Sequence, residues 1–78
     1  MTDLTWIKSN GHYQADTDPS TGVLRWIIAN TADRRWEIVS ITAKWDRRRH
    51  GATYTLREAR EAVGNFHRSN LLVAQKGA

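Results

Sequence analysis

The sequence predicts an α+β fold: a three- to four-stranded antiparallel sheet, made of two hairpins, packed on one C-terminal helix. Three observations predict it. An Asn-Gly pair near the start divides two short runs, Trp6–Ser9 and His12–Ala15. A long β-branched and aromatic stretch fills residues 23–43 and is broken once. A capped helical pattern then opens at Thr55.

In "WIKSNGHYQAD", Asn10-Gly11 suits the two central positions of a type I′ turn, because both need positive φ. The spacing predicts strands over 4–9 and 12–17, with Ser9 opposite His12 and Lys8 opposite Tyr13. "DTDPSTG" follows as a connecting loop, with proline fixing φ early and glycine supplying positive φ late. Asp16, Asp18 and Ser20 alternate there like the opening of a calcium loop. The glycine falls one place late, however, and Ile27 stands where the closing glutamate is required.

"VLRWIIANTADRRWEIVSITA" predicts strands over 23–30 and 35–43 around a turn in "NTAD". A turn centred on Ala32-Asp33 puts Trp26 opposite Val39 and Ala29 opposite Trp36. Side chains alternate between the faces of a sheet. One face then carries Leu24, Trp26, Ile28, Val39 and Ile41 and is expected to be the core. The other carries Arg25, Ile27, Trp36 and Ile38 and stays open.

"TYTLREAREAV" starts a helix, with Thr55 as N-cap and Glu58 three residues on as the capping-box partner. Leu56, Ala59, Val63 and Phe66 form its apolar stripe. Gly64 marks a possible end, and residues 69–78 read as a C-terminal tail without clear pattern. The expected core is Leu24, Trp26, Val39, Ile41, Leu56, Ala59 and Val63. One domain over 1–68 accounts for the rest of the 78 residues.

The chain has no cysteine, which excludes disulfides and thiolate metal sites and fits a reducing, cytoplasmic setting. "MTDLTWIKSNG" has neither the basic nor the apolar region of a secretion signal, and no apolar run reaches membrane-spanning length. His12, His50 and His67 stand apart from other metal ligands and read as surface residues, so neither metal nor cofactor is expected. No nucleophile motif, phosphate loop or dinucleotide fingerprint occurs, which points away from an enzyme.

Charge points to a binder. Residues 1–33 hold two bases and four acids, a charge of −2, and residues 34–78 hold ten bases and four acids, a charge of +6. A basic surface most often meets nucleic acid. "KWDRRRHG" reads as an exposed loop between the last strand and the helix. Together with Arg34, Arg35, Arg25 and the open sheet face, it gives the expected nucleic-acid-binding set: Arg25, Arg34, Arg35, Trp36, Lys44, Trp45, Arg47, Arg48 and Arg49. The alternative is a protein-interaction module with Trp36, Ile38 and Ile27 as an apolar anchor. The oligomeric state is open, with a dimer through the tail or the open face as one arrangement.

The aromatic-threonine helix entry (Tyr54, Thr55), the Glu58-Ala59 step and the strand pair Arg25-Trp26 resemble sheet-plus-helix DNA-binding modules over residues 12–66. These are the arm-binding domains of tyrosine recombinases and the DNA-binding domains of plant ethylene-response proteins. The resemblance implies an outer sheet face laid in the major groove. Those families normally have three strands, and the additional "LTWIKS" strand here is placed where it could cover that face. The short chain, dense in Trp and Arg, is also similar in style to small accessory proteins of actinobacteria and their phages.

Overall fold

The protein is described from a computed structural model that covers residues 4–76, with side chains over 4–73. Its elements are β1 (Ile7–Ser9), β2 (His12–Asp16), a 3₁₀ turn at Pro19–Thr21, β3 (Val23–Asn30), β4 (Trp36–Thr42), β5 (Arg47–Thr53) and α1 (Leu56–Lys76). The α+β expectation holds. The described residues form a sheet of five antiparallel strands rather than three or four, in the order β1-β2-β3-β4-β5.

The first hairpin has the expected register, Ser9 to His12 and Lys8 to Tyr13, around Asn10 (φ 43°) and Gly11 (φ 83°). It joins the main sheet by pairing β2 with β3. Strand β1 therefore extends the sheet sideways and does not lie over the open face. Leu4 and Trp6, just ahead of it, pack onto the helix-side core.

Both later hairpins turn through one five-residue device. "TADRR" (31–35) and "TAKWD" (42–46) each begin Thr-Ala. The fourth residue donates its N–H to the threonine carbonyl, Arg34 at 3.1 Å and Trp45 at 2.8 Å. The threonine N–H donates to the fifth residue's carbonyl, at 2.8 Å in both loops. The threonine Oγ1 accepts from the fifth residue's N–H, at 3.2 Å from Arg35 and 3.1 Å from Asp46. The fourth residue is left-handed, with φ 63° at Arg34 and 68° at Trp45. This is a type I turn followed by a left-handed residue, a common hairpin loop.

The device moves the β3–β4 register by one residue from the expected one. Asn30 pairs with Trp36, Ile28 with Ile38 and Trp26 with Ser40. A one-residue slip exchanges the faces of a whole strand. Ile38 and Trp36 therefore join Trp26 and Ile28 beneath the helix, while Val39 and Ile41 turn to the opposite face, where Val39 is nonetheless buried as expected, at 1% exposure. Leu24 leaves the expected core too, because a bulge between Val23 and Arg25 makes it the extra residue and Val23 takes its place.

The core is Val23, Trp26, Ile28, Ile38, Ala59 and Val63, with Tyr13, Trp36, Leu56 and Ala62 packed against it. The small Ala59 lets α1 approach the sheet closely. The Phe66 ring lies nearly parallel to the Trp26 indole, with centroids 5.8 Å apart. Thr55 Oγ1 accepts from the Glu58 N–H at 3.1 Å, as a helix N-cap does. Its hydroxyl in turn donates to Glu58 Oε1 at 3.0 Å. Arg60 reaches over the Tyr13 ring at 5.1 Å and ties helix to sheet.

Gly64 does not end the helix. The segment read as a tail, 69–78, continues α1 as far as Lys76. The 21 residues of α1 rise about 31 Å, against about 24 Å for the seven of β4. The C-terminal turns therefore overrun the strands and leave Leu72 and Val73 exposed. The continued helix also buries His67, one turn beyond Val63, where it pairs with Thr17 Oγ1 at 3.4 Å. His67 is thus not the surface residue expected.

Val63 has no exposed surface. Val63→Asp would place an unpaired charge between helix and sheet, at a cost of several kcal/mol. Loss of the cooperative transition in denaturant, read by far-UV circular dichroism, is the expected outcome; a normally folded variant would contradict this core.

Candidate nucleic-acid interface

The run expected as a loop is mostly strand. Only Ala43–Asp46 turn the chain, and Arg47, Arg48 and Arg49 lie on β5. Alternation then divides them. Arg47 pairs across from Ile41, and Arg49 from Val39, so both stand on the open face with Arg25 and Ile27. Arg48 pairs with Ser40 and faces the helix side. Across the open face, Arg25, Ile41 and Arg47 form one row over three strands, about 10 Å from end to end at the usual strand spacing.

Two of the three open-face arginines already have partners. Arg25 Nε lies 2.6 Å from Asp16 Oδ1, and Arg49 Nε lies 3.1 Å from Glu37 Oε2. Among the described residues, no carboxylate lies within ion-pair distance of Lys44, Arg47 or Arg48. Lys44 and Arg48 line the helix side, whereas Arg47 shares the open face with Trp45, which is 80% exposed at the left-handed position of its turn. Left-handed backbone costs an L-residue about 1–2 kcal/mol. Glycine would occupy the same position without strain. Trp45, Leu24, Ile41 and the Arg25–Asp16 pair surround a hollow of about 290 Å³ at that end of the open face.

The other expected residues lie elsewhere. Arg34 and Arg35 form the β3–β4 turn at the far end of β4. Arg35 stacks on the Tyr54 ring at 4.8 Å and pairs with Asp33 at 3.6 Å. Trp36, expected on the open face, is on the helix side and packs against Tyr13 with centroids 6.0 Å apart. The cause is the register shift. β5 ends opposite Trp36, so its open-face border runs from Trp45, past Arg47 and Arg49, toward Arg35.

One constellation had no counterpart in the sequence reading. A bulge between Ile38 and Val39 makes His50 the extra residue on β5, next to Gly51 at φ 123°. The displaced imidazole lands against Trp26 (5.0 Å) and Phe66 (5.2 Å), and its Nε2 lies 2.7 Å from Ser40 Oγ. Ser40 is only 1% exposed, so its hydroxyl is a poor nucleophile for an external substrate. No carboxylate among the described residues hydrogen-bonds His50. The pair seats the bulge. The sequence signal was the His-Gly step after a polar run, a bulge cue. Trp26 Nε1–H, in the same cluster, is buried without a hydrogen-bond partner. An unmet buried donor costs about 1–3 kcal/mol.

Among the described residues no three His, Cys, Asp or Glu side chains gather as metal ligands, and no helix is long and apolar enough to cross a membrane. Comparison with family models, curated proteins and solved structures matches the chain to none of them.

His50 is exposed, and partial desolvation where its ring lies against Trp26 and Phe66, and secondarily the nearby Arg48 charge, hold its pKa below the ordinary value. The folded state therefore binds fewer protons there than the unfolded chain. The contribution of neutral His50 is present above about 6.5, the unfolded value, and is lost as pH falls from there through the depressed folded value. The denaturant midpoint of the wild type should thus drop between pH 7.5 and 5. The drop should be smaller in His50→Gln, whose side chain does not titrate; equal drops in both proteins would remove His50 from the account.

Proposed function

We propose that this protein is a small, non-catalytic nucleic-acid-binding module acting through the β5 border and the adjoining open sheet face. The observation that carries the reading is Trp45. The chain bears two costs there at once, an exposed indole and a left-handed backbone, on the face that also carries the unpaired Arg47. Strain of this kind concentrates at functional positions. An exposed ring on the same face as a free guanidinium group is the stacking-plus-charge combination used on nucleic acids. Arg47 supplies a planar fork to a phosphate, and Arg25 and Arg49 join it where phosphate replaces Asp16 or Glu37. A cytoplasmic setting suits a partner of this kind.

The exposed Ile7 and the open-face Ile27 and Ile41 favour a second reading, a protein partner seated on the same face. Trp36 and Ile38 are not its anchor, because they belong to the helix side. Salt separates the two readings: phosphate binding weakens steeply as salt rises, and an apolar interface does not.

Arg47→Ala should flatten the slope of log K against log salt for generic duplex DNA by about 0.9, one phosphate contact. Arg48→Ala, on the opposite face, should leave that slope nearly unchanged. Binding by the wild type that ignores salt, or fails altogether, would discard the nucleic-acid reading.

Trp45→Gly should move stability and binding in opposite directions. Relief of the left-handed strain, less the entropy glycine adds to the unfolded chain, should stabilise the fold by about 0.5–1 kcal/mol. Arg34→Gly, at the matching loop position, gives the reference for that gain. Loss of stacking should weaken single-strand binding by about 1–3 kcal/mol. Chemical denaturation and fluorescence anisotropy read the two effects, and unchanged anisotropy in Trp45→Gly would remove the stacking role.

A further inference from the structure

The helix side of β5 carries a second site. A cleft of about 430 Å³ opens between the C-terminal half of α1, the loop before β3 and the β4–β5 turn. That volume lies within the range of small-molecule sites. Its walls include Trp26, His50 and Phe66, and Lys44, Arg48 and Asn70 also line it. Four features bear on what it takes.

Phe66 is 39% exposed although it sits against the core, so part of its ring can be reached by a planar partner. Lys44 and Arg48 have no carboxylate partner among the described residues, whereas Asp46 brings one acid to the same cleft. Trp26, a wall residue, holds the one buried side-chain polar atom among the described residues that lacks a hydrogen-bond partner. Finally, the pleat of β5 removes Arg48 from the open face, so the nucleic-acid surface proposed above does not account for it.

We propose that this cleft binds a nucleoside phosphate, with the base against Phe66 and His50 and the phosphate at Lys44 and Arg48. The ring wall recognises a flat heterocycle, since aromatic faces stack favourably on one another. The two cations recognise the phosphate, Arg48 through its planar fork. Asp46 and Asn70 are available to amino and hydroxyl groups of base or sugar. A base acceptor that displaces the neighbouring rings slightly meets the unpaired indole N–H. The site does not depend on the open face: it lies on the other side of the sheet and uses other residues.

The test is a titration of ¹⁵N-labelled full-length protein with 5′-AMP, adenosine and inorganic phosphate, followed by NMR. Saturable shifts of the Trp26 indole N–H and the His50 ring are expected with 5′-AMP, with adenosine and phosphate each weaker by about tenfold or more. Lys44→Ala and Arg48→Ala, both at exposed positions, should weaken 5′-AMP by a similar factor while the remaining spectrum shows an intact fold. Adenosine binding as tightly as 5′-AMP, indifference to both substitutions, or no shift at millimolar 5′-AMP would overturn the proposal. A 5′-phosphorylated hexanucleotide distinguishes the source of the ligand. Binding at least as tight as that of 5′-AMP at these same resonances assigns the cleft to strand ends, and weaker binding assigns it to free nucleotides. Neither substitution needs to affect duplex binding by the open face, so failure here and failure of the nucleic-acid reading are separate results.

Discussion

The two Thr-Ala loops decide which faces β4 and β5 present, and most of the packing and surface depends on them. A β-strand has a side-chain period of two, so a hairpin loop one residue longer or shorter sends each side chain of the following strand to the other face. Thr31 and Thr42 hold their loops at five residues by bonding the fifth residue through both backbone and hydroxyl. That length places Ile38 and Ser40 under the helix, with Val39 and Ile41 on the opposite side. The same constraint, applied once more, splits three consecutive arginines between two surfaces.

The helix-side core depends on that register, and its packing is uneven. Around Ile28, Ile38, Ala59 and Val63 it is closed and apolar. Toward the β4–β5 turn it changes character. There Trp26, His50 and Phe66 form an aromatic cluster that holds a polar pair, a bulge and an unpaired indole donor. The Ser40–His50 bond meets the needs of one buried hydroxyl, and nothing does the same for Trp26. The closed apolar half of the core and the half that holds the polar groups thus share one helix, divided near Phe66.

Much of this was legible in the residues. Asn10-Gly11 announced the first hairpin and its register, because few residue pairs accept two positive φ angles. The Thr55-Glu58 spacing announced the helix start, and the β-branched run announced β3 and β4 to within a residue of their ends. The second register was not legible by locating a turn within "NTAD". It required noticing that "TADRR" and "TAKWD" are the same loop. β5 was hidden because three arginines show no alternation of polarity, although their backbone alternates like any other strand. The burial of His67 followed from helix continuation through Gly64, where a local propensity signal gave way to packing against the 3₁₀ turn and Thr17. Of the expected site, Arg25, Trp45, Arg47 and Arg49 share one side, Arg48 faces the other, and Trp36 is packed beneath the helix.

The arginine run also bears on self-association. β5 is the last strand of the sheet, so its outer backbone groups have no neighbouring strand among the described residues. Seven residues of free edge would ordinarily template another copy of the same strand. Two β5 edges laid parallel and in register would set their arginines against one another across the new seam, where like charges repel. The opposite border, β1, is only three residues long and offers little to extend. Charge at one end and brevity at the other thus oppose sheet growth into fibres, and the side chains proposed to meet a polyanion are also those that keep identical edges apart.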